Sequence, residues 1–179
     1  MEDVQDEHKR LDILILAAGL GTRMRSGIAK VLHRLDGRPL ISHVCRTAAA
    51  LAPGKIFIVI GHQGEEVKSS VAKELGDGQA EFVWQREQLG TGDAVNAARE
   101  FLADRDSTLL VLSGDVPMIR PETLAGLVQQ HHRHRGKGAA CTILTVKVKD
   151  PNGYGRIVRD EEALFERIVQ FLARQAVLA

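Results

Sequence analysis

The stretch that most constrains the chain runs from Asp12 to Lys30, where four consecutive aliphatic residues, Ile13 to Leu16, pass directly into Ala17-Ala18-Gly19-Leu20-Gly21-Thr22-Arg23-Met24-Arg25. An apolar run without alternation suits a strand covered on both faces, as strands in parallel sheets are. The alanines and glycines that follow remove bulk, so backbone N–H groups can approach a ligand closely and turns with positive φ are accessible. Between Ala17 and Lys30 the cations are Arg23, Arg25 and Lys30, and there is no carboxylate. A cationic loop at the carboxyl end of a parallel strand points to a polyanionic ligand such as a phosphate ester. The alternative is a tight strand-to-helix turn with solvated arginines.

Two common phosphate fingerprints do not fit. No window supplies the Gly-x-x-x-x-Gly-Lys-Ser/Thr loop of nucleoside triphosphatases. The dinucleotide pattern Gly-x-Gly-x-x-Gly starts at Gly19 and Gly21 but meets Met24 where its last glycine belongs.

The rest of the chain alternates strand and helix patterns. Val31 to Leu35 alternates weakly into an Asp36-Gly37 turn, and Pro39 suits the first turn of a helix reaching about Ala52. Lys55 to Ile60 and Thr108 to Leu112 read as further buried strands, and Ala80 to Trp84 as a shorter one. Helices are expected over Glu65 to Leu75, about Ala94 to Leu102, and Pro121 to about Arg135, and Ala139 to Val148 reads as strand. This order predicts a three-layer α/β fold with a mainly parallel sheet, whose loops bring Gly19, Gly90 and Asp115 toward one edge.

Charge and cysteine content narrow the function classes. With 24 Lys and Arg against 23 Asp and Glu, a net charge of +1 argues against a global nucleic-acid or membrane-surface binder. Cys45 and Cys141 are far apart and show no zinc or redox spacing, which fits a reducing cytoplasm. Met1 to Arg10 is charged throughout and is expected to be a flexible polar extension rather than a signal peptide, and no later stretch approaches a membrane span.

Three further groups of residues bear on chemistry. Asp115, directly after a strand and preceded by Gly114, is placed either to hold magnesium beside substrate phosphates or to cap a turn. Gln85 to Gly92 offers amides and glycines suited to a base or sugar, although an ordinary loop would read similarly. His131, His132 and His134 lie among Arg133 and Arg135 at a helix end, where cations complement the helix dipole and disfavour a metal. His33, His43 and His62 have no acid or nucleophile partner in sequence, and no serine or cysteine forms a nucleophile elbow.

Taken together, Leu16 to Met24, Lys30-Val31-Leu32-His33, Glu87 to Gly92, Gly114-Asp115-Val116-Pro117 and Gly153-Tyr154-Gly155-Arg156-Ile157 resemble the sugar-nucleotide pyrophosphorylases. The likeness is greatest to the uridylyltransferase half of the bacterial bifunctional N-acetylglucosamine-1-phosphate uridylyltransferase/glucosamine-1-phosphate acetyltransferases, and it covers residues 11–160. The resemblance implies a Rossmann-like nucleotidyltransferase fold, incomplete at its C-terminal end, and magnesium-dependent transfer of uridylyl from UTP to N-acetylglucosamine 1-phosphate. It implies nucleotide contacts from Leu16, Ala17, Ala18 and Gly19, phosphate neutralisation by Arg23 and Lys30, and uracil and ribose contacts from Gln85, Gly90 and Thr91. It further implies magnesium at Asp115 and the sugar at Gly155.

Departures from the family pattern shape the expectation. Ile28-Ala29 precedes Lys30 where a proline is usual, and Asp93 stands where histidine is common. Phe165 to Gln170 still resembles the family's next strand, with Gln170 near the position of a sugar-binding glutamate, and beyond it the family's lysine-containing segment, asparagine-rich sugar loop, second magnesium ligand and hexapeptide-repeat acetyltransferase half are not found. Residues 161–179 by themselves favour a helix, with Leu164, Ile168 and Leu172 on one face, and the tail reads as truncated or frame-shifted in preference to a cap over the exposed sheet. The alternative to an active transferase is therefore a nucleotide-binding remnant without turnover.

Overall fold

The computed structural model describes residues 10–19, 27–135, 140–150, 154–162 and 165–170. The chain forms two compact units, residues 1–142 and 143–179. Arg10, placed in the polar extension by its charge, is already the first residue of a strand; residues 1–9 lie outside the described part.

The first unit is built on four parallel strands: β1 (Arg10–Leu16), β4 (Lys55–Ile60), β5 (Glu81–Trp84) and β6 (Ser107–Ser113), in the order β5-β4-β1-β6. β1 is central, with Ile13 level with Ile56 of β4 on one side and with Leu110 of β6 on the other. Between β1 and β4 the short strands β2 (Arg34–Leu35) and β3 (Arg38–Pro39) form an antiparallel hairpin. Its turn residues Asp36 and Gly37 both have positive φ, 50° and 74°, as a tight two-residue hairpin requires. Pro39, at φ −56°, then leads into helix α1 (Leu40–Ala49).

Because successive strand side chains point to opposite faces, the apolar runs supply two cores at once. Ile13, Ile15, Ile56, Ile58, Ile60, Leu110 and Leu112 pack on one side with Ile41, Val44 and Ala48 of α1, Val67 and Val71 of α2 (Gly64–Leu75), and Leu124 of α5 (Pro121–Arg135). Leu14, Phe57, Val59 and Val83 pack on the other with Ala94 and Ala98, where α3 (Thr91–Ala97) meets α4 (Arg99–Leu102). The result is the three-layer α/β arrangement expected from the alternating pattern. The helix anticipated from Ala94 starts at Thr91 and breaks at Ala98, whose ψ of 1° leaves the helical range.

At the amino-terminal end of the sheet lies a polar group with no sequence signature. Asp12, fully buried, accepts hydrogen bonds from Arg105 Nε at 2.5 Å, Arg105 Nη2 at 2.9 Å and Ser107 Oγ at 2.6 Å. The guanidinium also stacks 5.4 Å from the ring centre of Phe57. Burial alone would raise the Asp12 carboxyl, but hydrogen bonds from Arg105 and Ser107 and the Arg105 charge outweigh it and hold the group below its ordinary 3.8.

Two expectations are corrected. Residues 140–148 form no strand, since none of the described strands pairs with them and β-propensity without a ladder partner does not make a strand. In the second unit, β7 (Gly155–Arg159) pairs antiparallel with β8 (Phe165–Gln170), so residues 165–170 are the strand that the family resemblance implied and not the helix that their own spacing favours. Cross-strand pairing of Ile157 with Ile168 and of Arg156 with Val169 overrides the helical spacing. Residues 171–179 lie outside the described part. Among the described residues no helix is long and apolar enough to cross a membrane.

Candidate functional site

The carboxyl ends of the four parallel strands open on one edge, and the chain there is shaped by close backbone approach. Ala17 N donates to Val59 O at 2.8 Å, which extends the β1–β4 ladder past the end of β1 and buries Ala17 and Ala18. Gly114 N donates to Leu16 O at 2.9 Å, drawing the end of β6 against the end of β1. A Cβ on Gly114 would lie 3.0 Å from Leu16 O and 3.1 Å from both Ile41 and Val31, so only glycine fits without displacement. On the other side Gln85 N donates to Ile60 O at 2.9 Å, continuing the β4–β5 edge.

Between these ends lies a cavity of about 360 Å³ lined by Leu16, Ala18, Gly19, Lys30, Val31, Gln85, Gln88, Gly90, Thr91, Ala94, Ser113 and Asp115. Leu16, Ala18, Gly19, Lys30, Gln85, Gly90, Thr91 and Asp115, singled out from the sequence, thus meet in one pocket although they come from four separate stretches. Ala17 is buried and does not line it. Arg23 lies outside the described residues. Gly155 belongs to the second unit, where it begins β7 with its Cα close to the Ile168 side chain.

Charge in the pocket is concentrated in one pair, the Lys30 ammonium against the Asp115 carboxylate, both partly open to solvent. Lys30 is held from behind. Ala29, fully buried, donates its backbone N–H to Gln63 Oε1 at 2.5 Å, and Gln63 itself sits at φ 55° ahead of α2. Where the resemblance leads one to expect a proline, a hydrogen bond to the neighbouring loop fixes the backbone instead.

On the opposite wall the Gln85 side chain, 6% exposed, donates from Nε2 to Asp93 Oδ2 at 2.6 Å and to Gly90 O at 3.4 Å. Gly90 has φ 118°, a conformation open to glycine, and it precedes α3 so that Thr91 is the first helical residue. Ala94 and Ser113 were not singled out from the sequence, and Val31 stands in the Lys30-Val31-Leu32-His33 motif with no role assigned. Ser113 could have been found as the strand residue preceding Gly114-Asp115, and Val31 as the neighbour of Lys30.

Two of the histidines of α5 are engaged elsewhere: His132 Nε2 and Thr108 Oγ1 are 3.0 Å apart, as are His131 Nδ1 and Thr142 Oγ1. Among the described residues no group of three or more His, Cys, Asp or Glu could hold a metal by itself. Asp115 is the one carboxylate among the described residues that line the pocket. One carboxylate suits magnesium, which commonly takes one or two carboxylates and fills its remaining positions with water and substrate phosphate oxygens.

Comparison with known proteins gives a consistent picture. A family model described as a MobA-like NTP transferase domain matches residues 13–175. The chain is 48% identical over 163 residues to the bifunctional protein GlmU of Acidovorax sp., covering 89% of this chain and 33% of that protein. It is 43% identical over 158 residues to the bifunctional protein GlmU of Thermosynechococcus vestitus, covering 88% and 34%. The chain thus spans about a third of the length of these relatives. Among solved structures, a UDP-glucose pyrophosphorylase complexed with UDP-glucose superimposes with a TM-score of 0.65 at 20% identity, over 90% of this chain and 68% of that one, and shows the shared fold.

Proposed function

Given that the chain belongs to the MobA-like NTP transferase domain family and is a nucleotidyltransferase domain, we propose that its pocket binds UTP and transfers uridylyl to N-acetylglucosamine 1-phosphate. The products are UDP-N-acetylglucosamine and pyrophosphate. The observation that carries this reading is the meeting of Leu16, Ala18, Gly19, Gln85, Gly90 and Thr91 with the Lys30–Asp115 pair around one cavity at the carboxyl edge of a parallel sheet. The likeness to the bifunctional GlmU proteins supports the choice of reaction.

In this reading the small residues at the end of β1 let the nucleotide lie against the backbone, while Gln85, Gly90 and Thr91 receive uracil and ribose. A phosphate oxygen of the sugar 1-phosphate attacks the α-phosphorus of UTP, and the bond to the β-phosphate oxygen breaks with release of pyrophosphate. Lys30 offsets negative charge on the transferring group, in the manner of cations at phosphoryl-transfer sites. The family likeness assigns a further phosphate-neutralising charge to Arg23 and a sugar contact to Gly155. Asp115 would hold magnesium, which when bound neutralises phosphate charge and aligns the reacting oxygens.

A pyrophosphate-release assay with UTP, N-acetylglucosamine 1-phosphate and magnesium tests the proposal. Turnover well above an Asp115→Ala control is expected, and turnover no higher than that control overturns it. UTP binding without turnover would identify a nucleotide-binding remnant instead, and absence of UTP binding removes both readings.

A further inference from the structure

The role of Asp93 is set by what it does to Gln85. Asp93 Oδ2 and Gly90 O both take hydrogen bonds from the same Gln85 Nε2, at 2.6 and 3.4 Å. A carboxylate and a backbone carbonyl only accept, so a side-chain amide facing both must present its NH2 to them and turn its carbonyl oxygen away. The usual freedom of an amide to flip end for end is thereby removed. A histidine at this position could accept or donate through its ring and would impose no such choice.

Local structure supports the arrangement. Gly90, at φ 118°, starts α3 so that Asp93 falls in its first turn and reaches back to the end of β5. Gln85 is 6% exposed and lines the nucleotide pocket. At a buried position a polar atom facing the wrong partner is left unpaired, so the direction of one amide has a large effect on which ligand is accepted.

We propose that Asp93 is a positioning residue that locks Gln85 as a hydrogen-bond acceptor and so selects a pyrimidine bearing a ring N–H, uracil, over cytosine, whose N3 carries a lone pair. This rests on the nucleotide site proposed above. Asp93 does not touch the reacting atoms; it acts through the amide it orients.

The test is calorimetric titration of the whole chain with UTP and with CTP in the presence of magnesium, alongside nitrogen-15 spectra of the Gln85 side-chain amide recorded without nucleotide. The natural chain is expected to favour UTP by about 10- to 100-fold. Asp93→Ala should bring the two affinities within about threefold, since either amide orientation then becomes available. Asp93→Asn, which keeps the shape but can accept or donate, should fall between. The Gln85 amide resonances should shift in both variants while the remaining spectrum stays dispersed.

An unchanged UTP-to-CTP ratio in variants that still bind UTP overturns the proposal and leaves the uridylyl reading intact. Gln85 resonances unmoved by Asp93→Ala overturn the lock without reference to any nucleotide. A natural chain that binds neither nucleotide, yet whose Gln85 resonances respond to Asp93→Ala, overturns the selectivity together with the uridylyl reading and shows the lock to be purely structural.

Discussion

Replacing Arg105 by methionine isolates the charge at the amino-terminal end of the sheet, because methionine keeps an apolar stem over Phe57 while the guanidinium is lost. The Asp12 carboxylate, fully buried, then retains Ser107 and loses two charge-assisted bonds of 2.5 and 2.9 Å. Breaking one side of a buried ion pair typically costs about 3–5 kcal/mol. The Arg105 side chain is 21% exposed, so water replaces part of what it supplied, and the lower part of that range, about 3 kcal/mol at pH 7, is the expected loss. The pH dependence has a definite sign. In the natural chain the Asp12 carboxyl lies below its unfolded value of 3.8, so its stabilisation is complete above that value and disappears as pH falls through the lower native one. In Arg105→Met the carboxyl is buried without its counter-ion and moves upward, so that variant loses stability as pH rises instead. The gap between the two proteins should therefore be widest near neutrality and close toward pH 3. Urea denaturation followed by far-ultraviolet circular dichroism at several pH values measures it. A loss below about 1 kcal/mol at pH 7, the scale of an exposed ion pair, or a gap that stays constant with pH would refute the reasoning.

Three other outcomes follow from the same structure. Lys30→Ala should lower turnover in the pyrophosphate-release assay by about 10²- to 10³-fold, yet change folding stability by less than about 1 kcal/mol because the Lys30–Asp115 pair is partly solvated. Under native conditions near pH 8 a thiol reagent should label Cys141, which is exposed, and spare Cys45, whose thiol is buried and pushed up to about 12; mass spectrometry after unfolding should find both accessible. Gly114→Ala should cost about 1–3 kcal/mol in a denaturation experiment and weaken UTP binding, because the new methyl forces apart the ends of β1 and β6 that shape the pocket.

The architecture was legible wherever one local pattern decided the outcome. Ile13 to Leu16 and Ile56 to Ile60 are strands covered on both faces, and their unbroken apolar runs announce it, whereas Thr108 to Leu112, read the same way, buries Leu110 and Leu112 on one face and leaves Val111 42% exposed on the other. The pocket was legible because residues at strand ends are brought together by parallel topology, so Gly19, Gly90 and Asp115 could be placed at one edge before any distance was known. What escaped were interactions set by distant residues. Nothing near Asp12 in sequence announces Arg105, 93 residues away. The strand at Phe165–Gln170 was legible by family resemblance but not from its own spacing, which is helical and is overruled by pairing with Gly155–Arg159. Asp93 was visible as a departure from a family pattern, but its grip on Gln85 depends on the fold of the Gly90 turn.

The central position of β1 has a consequence for how the protein is made. On the ribosome this strand is the first of the sheet to be synthesised, and β4 follows within about fifty residues, but β6 closes its other edge only after Ser113 has been added. At typical elongation rates of about 5–20 residues per second, β6 is added to the nascent chain on the order of 5–20 s after its central strand. Over most of the same interval the partners that Asp12 has in the folded chain, Arg105 and Ser107, have not yet been added.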